Sequence, residues 1–453
     1  MLYGLLKIIA ITSIRTFFRR ISAQNTERIP TKGPVIFVCN HPNTMIDPLL
    51  VGMSCKRKLF FFAKSTLFKG RFKGWIMPKL QLIPVYRKQD DPSQTSKNTD
   101  TFSKGYKILE QHKAFLIFPE GISDGERRLN KIKTGAARIG FGALVKNNWD
   151  LDVTIVPVGL SYSNIIKFKS NVIVRYGNPI QLNQYKDKYT SDEVATVQEL
   201  TGQIETALSK LTTYVNVLES EEIVNALELI YKKELMQDLG LNTKDKSDEF
   251  SATKGLVSGV EWYFKNKPAK VEEFKQMFEN YQKKLDLLKL KDEFLNPNTK
   301  SITLFDRFKM LIFMVLGFPL YIYGLINNYI PYTVPRWLAR KLKRAKSEIA
   351  STKLLAGIVM FLTYYGLEIF VFNYFIENST YTLLYALSLV PSGNFVLYYL
   401  FHVRRYRQHL RFFTIFYQKR HIMYQIIEER QTLIDYINQA RDEYLNIEKV
   451  DQI

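Results

Sequence analysis

Between residues 32 and 180, short apolar runs alternate with mixed segments. The runs cover residues 35–39, 59–63, 80–86, 114–118, 153–160 and 172–176. Each is rich in Val, Ile and Phe and bounded by Gly, Pro, Asn or Lys, which is the pattern of buried strands. Residues 101–111 and 135–146, between the runs, carry apolar positions at helical spacing. This alternation predicts an α/β layer, a mixed, mostly parallel sheet flanked by helices. Ligands on such a sheet bind beyond the strand ends.

The pattern then changes twice. Residues 185–300 are charged, poor in β-branched runs and helical in period. Thr190-Ser191-Asp192-Glu193 suits a helix cap and Asn296-Pro297-Asn298 ends the stretch. No catalytic constellation stands out there, so a helical subdomain packing on the sheet or on a membrane is expected. Residues 311–330, 354–376 and 383–401 follow as three apolar segments, each near the ~20 residues that a spanning helix needs. Gly317, Pro319, Gly324, Asn327 and Asn328 interrupt the first of them. Residues 403–447 read as a long basic helix rich in aromatics.

Charge constrains how the apolar segments are threaded. Arg336, Arg340, Lys341, Lys343, Arg344 and Lys346 follow the first, and Arg404, Arg405, Arg407 and Arg411 follow the last. Basic flanks prefer the cytoplasm. The first segment is therefore expected to enter and leave on one side, as a re-entrant or interfacial hairpin. The other two form a spanning hairpin joined at Glu377-Asn378-Ser379-Thr380. Its Asn-Ser-Thr sequon matters only if the turn faces a secretory lumen. At the N-terminus an apolar stretch broken by Lys7 precedes Arg15, Arg19 and Arg20, the reverse of a secretory signal. It predicts a helix lying in or dipping into the membrane, with a plain amphipathic core helix as the alternative. The expected divisions are thus 1–22, 23–184, 185–300, 301–402 and 403–453, in an integral membrane protein whose α/β domain sits on the cytoplasmic face.

The 453 residues carry a formal charge of +21, which fits nucleic acid, an anionic membrane surface or phosphorylated substrates. Zinc-finger spacing, an aromatic ribonucleoprotein signature and a basic helix joined to heptads are all missing from the sequence, so nucleic acid is set aside. Cys39 and Cys55 cannot build a disulfide framework and fit a reducing compartment. Five scattered histidines and two cysteines give no metal-site spacing.

Two strand ends carry the chemistry. Asn40-His41-Pro42-Asn43-Thr44-Met45-Ile46-Asp47-Pro48 ends one apolar run, and Phe118-Pro119-Glu120-Gly121 ends another. A histidine suits removal of a proton from an attacking hydroxyl, and a carboxylate on its other ring nitrogen fixes the tautomer. Residues six apart do not share a face of a continuous helix. A turn at Pro42-Asn43 must therefore bring Asp47 to His41, and Pro48 predicts extended or turn geometry for Asp47. The bland alternative is a capping histidine with an unrelated surface aspartate. The Glu120 turn can hold a polyol or a phosphate-binding cation. Ile83-Pro84-Val85-Tyr86-Arg87 ends in an arginine suited to phosphate, with Lys64 and Lys133 as further cations.

Two decoys are weighed and set aside. Gly121-Ile122-Ser123-Asp124-Gly125 matches a nucleophile elbow, but the histidines downstream, His402, His409 and His421, all lie beyond the membrane region. Cys39 shares a strand face with His41, yet cysteine is among the most buried residue types.

Over residues 28–182 the sequence resembles the glycerol-3-phosphate and lysophosphatidate acyltransferases. Asn40-His41 with Asp47 looks like the family's first block, and Lys64 through Trp75 to Arg87 like the second. Phe118-Pro119-Glu120-Gly121 with Lys133-Thr134-Gly135 looks like the third, Ile155-Val156-Pro157-Val158-Gly159 like the fourth, and Tyr176-Gly177-Asn178-Pro179-Ile180 like the usual end. The common family spacing places four residues between His and Asp, whereas here there are five. His41-Pro42-Asn43 to Asp47-Pro48 matches the branch acting on glycerol 3-phosphate or dihydroxyacetone phosphate. The resemblance implies a membrane-bound O-acyltransferase of phospholipid biosynthesis. His41 and Asp47 would be catalytic, and Asn40, Lys64, Arg87, Glu120, Gly121 and Lys133 would bind substrate. The donor would be acyl-CoA or an acyl-carrier thioester, with no further cofactor. The acceptor would be a glycerol phosphate or a lysophospholipid, and the bilayer would be a partner. Backbone N–H groups near Val158-Gly159 are expected to meet the oxyanion. A lipid-binding scaffold without turnover is the reading from another class.

Overall fold

The computed structural model describes residues 2–86, 93, 98–243, 245–295, 303–342 and 344–450. The chain divides into two compact units, Met1–Tyr214 with Arg336–Ile358, and Val215–Pro335 with Val359–Ile453.

The first unit holds a sheet of eight strands: β1 Arg20–Gln24, β2 Val35–Cys39, β3 Leu59–Lys64, β4 Leu82–Val85, β5 Ala114–Ile117, β6 Thr154–Tyr162, β7 Asn171–Tyr176 and β8 Ile180–Gln181. Their order is β1-β7-β6-β2-β5-β3-β4, with β8 on β6. Strands β6, β2, β5, β3 and β4 run parallel, while β7 and β8 pair antiparallel with β6. This is the mixed, mostly parallel sheet that the run pattern predicts. Helices of this unit are α1 Leu2–Phe17, α2 Ile46–Ser54, α3 Arg71–Lys79, α4 Asn98–Glu110, α5 Gly135–Lys146, α6 Lys186–Ser191 and α7 Glu193–Leu211.

Side chains two apart on a strand share a face, so each central strand serves two cores. Ile36 and Val38 of β2 pack with Phe115, Ile139, Phe141 and Leu200 on one side. Val35, Phe37 and Cys39 pack with Leu50, Leu116 and Val158 on the other. That second core also takes Ile14, Phe17 and Phe18 at 1%, 3% and 2% exposure. The end of the N-terminal helix is therefore fixed to the sheet by burial, where the sequence suggested membrane association for the whole segment.

The second unit is helical: α8 Ser220–Ile230, α9 Lys232–Asp238, α10 Lys246–Asn266, α11 Pro268–Leu288 and α12 Leu304–Lys341 precede α13 Lys346–Ile376, α14 Ser379–Gln418 and α15 Arg420–Val450. The start of α13 belongs to the first unit and the remainder to the second. Met423, Ile426, Leu433 and Ile434 of α15 close a core with Val224, Leu227, Tyr281 and Leu285. Asn378 caps α14, its side chain accepting from the N–H groups of Thr380 and Tyr381 at 3.0 and 3.2 Å. Residues 305–341, α13 and α14 are long and apolar enough to cross a membrane. The first lies in α12, a single continuous 38-residue helix where the sequence suggested a hairpin. Pro319, Pro331 and Pro335 are carried within it. A proline costs one backbone bond and bends a helix, and buried neighbours on other helices hold such a bend in place. Asn328, buried within this same helix, donates to Gly324 O and accepts from the Tyr365 hydroxyl of α13.

Candidate active site

β2 and β5 are neighbours and parallel, with Val38 opposite Ile117, so Asn40-His41 and Phe118-Pro119-Glu120 leave the sheet on one edge. Asn40 is fully buried. Its Nδ2 donates to Leu160 O at 3.0 Å and its Oδ1 accepts from Leu160 N at 2.7 Å. The amide thus continues the β2–β6 ladder one step past Cys39, and Nδ2 also meets the Tyr214 hydroxyl. Asn40, expected from the sequence to touch substrate, is instead spent on anchoring the strand end.

That anchor aims His41. Its Nδ1 lies 2.9 Å from Asp47 Oδ2, and its ring stacks on Phe118 at 3.8 Å between centroids and 14° between planes. The His41 side chain is 17% exposed while that of Asp47 is 0%. With Nδ1 committed to the carboxylate, Nε2 is the nitrogen that can take a proton.

Asp47 sits in the first turn of α2, not in the extended geometry that Pro48 suggested. Pro48 is tolerated because the first turn of a helix leaves its N–H groups without intrahelical partners. Residues 42–45 form the turn, capped where Asp47 N donates to Asn43 O at 3.1 Å. The carboxylate accepts from Asn43 N at 2.7 Å and, through Oδ1, from the Tyr162 hydroxyl. Burial pushes the Asp47 carboxyl above the ordinary carboxylate range, and its bonds to His41, Tyr162 and Asn43 work against that rise. The same burial, with the Asp47 charge beside it, drives the Tyr162 hydroxyl well up, so it remains a donor.

Glu120 is 4% exposed. Its Oε1 accepts from His41 N at 2.9 Å, and Oε2 accepts from Asn130 N at 3.1 Å and Asn130 Nδ2 at 2.8 Å. Both oxygens of Glu120, expected from the sequence to hold a polyol or a phosphate-binding cation, therefore face protein donors, and the carboxylate fastens the β5 loop to the backbone of His41. Burial raises its pKa, and the bonds from Asn130 and His41 oppose the rise. Gly121 turns at φ +68, a left-handed conformation that glycine adopts without steric cost. The Lys133 side chain runs over its Cα. Lys64 ends β3, two places along the sheet from β2 and on the same edge. Lys64 and Lys133 are exposed. Arg87 follows β4 and lies outside the described residues.

Val158 and Gly159, expected near an oxyanion, belong to the interior of β6. They sit mid-strand, with Val158 opposite Cys39 and Tyr176, and Gly159 opposite Arg175. Cys39 is fully buried in the core of the sheet, where burial raises its thiol pKa well above the usual value, away from any nucleophilic role. Tyr162, Tyr214 and Asn130 escaped the sequence reading. Tyr162 had a signal, because it continues the inward alternation of Val158 and Leu160 past the end of an apolar run. The other two had none.

The arrangement is a base oriented by a buried carboxylate, on a sheet edge with cations nearby. Residues 20–161 match the acyltransferase family model. Among curated proteins the chain is 24% identical to glycerol-3-phosphate O-acyltransferase 1 of Saccharomyces cerevisiae, over 58% of this chain and 45% of that protein. It is 27% identical to glycerol-3-phosphate O-acyltransferase 2 of the same yeast, over 57% and 35%. The match thus spans less than half the length of these relatives. Among solved structures, the 1-acyl-sn-glycerophosphate acyltransferase PlsC of Thermotoga maritima is 17% identical with a TM-score of 0.33, covering 46% of this chain and 79% of that one.

Proposed function

Residues 20–161 match the acyltransferase family model, and from that similarity we propose that the protein moves a fatty acyl group from an acyl thioester to a hydroxyl of glycerol 3-phosphate or a related glycerolipid precursor. The observation that carries the reading is the His41–Asp47 pair, with Nδ1 on a fully buried carboxylate and Nε2 left for a substrate proton.

His41 Nε2 takes the proton of the acceptor hydroxyl as its oxygen attacks the thioester carbonyl. Asp47 stabilises the imidazolium that forms, without itself gaining the proton. Collapse of the tetrahedral intermediate expels the thiolate, which leaves with the proton returned by His41. Acyl-CoA or an acyl-carrier protein supplies the thioester. Lys64, Lys133 and Arg87 are the cations proposed for the acceptor phosphate. The five-residue gap between His41 and Asp47 and the names of the yeast relatives support glycerol 3-phosphate over a lysophospholipid acceptor.

The test is an assay in detergent offering glycerol 3-phosphate, dihydroxyacetone phosphate and lysophospholipids against a set of thioesters. Ester formation on a glycerol phosphate is expected, and His41→Ala should lower it by about 10²–10⁴-fold. Turnover unchanged in that variant would overturn the mechanism. Transfer confined to lysophospholipids would replace the acceptor.

A further inference from the structure

The loop that carries the dyad is held from far along the chain. Ser351, on the first turns of α13 and within the first unit, is 5% exposed. Its Oγ lies 3.1 Å from Met45 N, 3.2 Å from Asn43 Oδ1 and 3.0 Å from Thr44 Oγ1. A serine hydroxyl has one proton to give and two lone pairs to receive with. Donation to Asn43 Oδ1 and acceptance from Met45 N–H and the Thr44 hydroxyl use all three. Met45 is the N-cap residue of α2, and its own side chain makes no capping hydrogen bond. Ser351 therefore satisfies a helix-start N–H from more than 300 positions away. The contact is supported on either side. Ser347 Oγ donates to Ser123 O at 2.7 Å, and the Thr44 hydroxyl, with one proton to give, shares it between Ser351 Oγ and Ser347 O at 3.3 Å. Ala350 and Leu354 are buried in the core beneath.

We propose that Ser351 is a positioning residue for the dyad: its hydroxyl fixes residues 43–45, the turn that sets Asp47 against His41 Nδ1. The physical need is plain. Five residues separate the base from its carboxylate, and Asn43 supplies a backbone N–H to that carboxylate. If the turn drifts, Asp47 loses a donor and His41 loses its fixed tautomer. Asn43 is held at its other end by Ile165 O at 3.1 Å, so Ser351 is the second of two pins on that side chain. Residues 347–351 lie outside the 20–161 match, so this part of the site is supplied by sequence beyond the matched stretch.

The kinetic consequence rests on the acyl-transfer reading, whereas the geometry does not, and the test separates them. The full chain is purified in detergent as parent, Ser351→Ala, Ser351→Thr, Thr44→Val and Lys346→Gln. Nitrogen-15 NMR of its histidines, with His41 assigned by His41→Gln, reports which ring nitrogen carries the proton. The parent is expected to hold the proton on Nδ1, and Ser351→Ala to show a mixed population. Its kcat should fall roughly tenfold at little changed KM, the scale expected when buried polar groups lose a partner. Ser351→Thr keeps the hydroxyl and should restore both readouts, and Thr44→Val should show a partial form of the same change. Lys346→Gln breaks only the exposed pair with Glu126 and should match the parent. A His41 spectrum unchanged in Ser351→Ala and Thr44→Val overturns the proposal, whatever the kinetics. If Ser351→Ala does not fold, Thr44→Val decides. If no variant, the parent included, transfers acyl groups, the functional reading fails while the spectra still settle the role of Ser351.

Discussion

Asp47 has three donors, and each protects its ionised form against the cost of burial. The Tyr162 hydroxyl is the one that can be removed with least disturbance. Tyr162→Phe should push the already raised Asp47 pKa higher. A protonated Asp47 cannot hold the imidazolium, so the acid limb of the pH–rate profile should move to higher pH, with a loss of about tenfold near neutrality. Asp47→Asn should cost more, about 10²–10⁴-fold, because it removes the charge and turns one of the two accepting oxygens into an NH2 group among donors. A profile unmoved by Tyr162→Phe would mean that Asp47 does not govern that limb. At this scale the sequence was readable where chemistry was local. A histidine and an aspartate a short turn apart could be paired on paper. Asn40 and Glu120 stand in the same motifs, yet their side chains bond Leu160 and His41 backbone, partners that only the parallel register of β2 with β5 and β6 brings within reach.

Among the elements, the helices of the second unit depend on one buried charge cluster. Arg430 of α15 is 3% exposed, and it donates to Asp292 at 3.0 Å, to Glu234 at 2.9 Å and to Ile230 O at 3.0 Å. The Tyr281 hydroxyl adds a bond to Asp292 at 2.6 Å. Arg430→Ala strips the positive partner from the buried Asp292 carboxylate and from the partly exposed Glu234, at a cost of about 3–5 kcal/mol. Limited proteolysis should then cut residues 215–300 faster, with the sheet unit unchanged. Arg430→Met with Asp292→Leu, which removes charge from both sides, should recover much of the loss. The sequence predicted these helices from their period and their caps. It could not place Arg430, because a lone arginine in a basic helix has the same local pattern whether it faces water or a buried aspartate.

For the molecule as a whole, packing limits how the chain crosses a membrane. Residues before Tyr214 and the start of α13 share the core of the first unit, so they lie on one side of any bilayer. In the second unit, α8, α10 and α11 share a core with α15, so those segments also lie on one side. A chain that returns to its side crosses an even number of times. The helix of residues 304–341 is the apolar one between Tyr214 and α13, and it should not make a single crossing, although at about 1.5 Å per residue it is long enough to do so. The pair α13–α14 is then expected to cross out and back, with Asn378 at the far turn. Single cysteines at Thr303 and Leu342 should label from the same face of sealed vesicles, and one at Thr380 from the opposite face. Labelling of Thr303 and Leu342 from opposite faces would mean that the apolar helix between them spans. What the sequence alone determined is what repeats at short range: strands and helices from hydrophobic period, apolar segments from their length, and the acid–base pair from its spacing. What the tertiary structure decided is which side chains meet across long separations, so that Ser351 reaches Asn43, Tyr162 reaches Asp47 and Arg430 reaches Asp292. The reason is physical. Periodicity reports the burial of a face, whereas a buried hydrogen bond depends on two backbones arriving at one place, and the local pattern at either end is silent about the other.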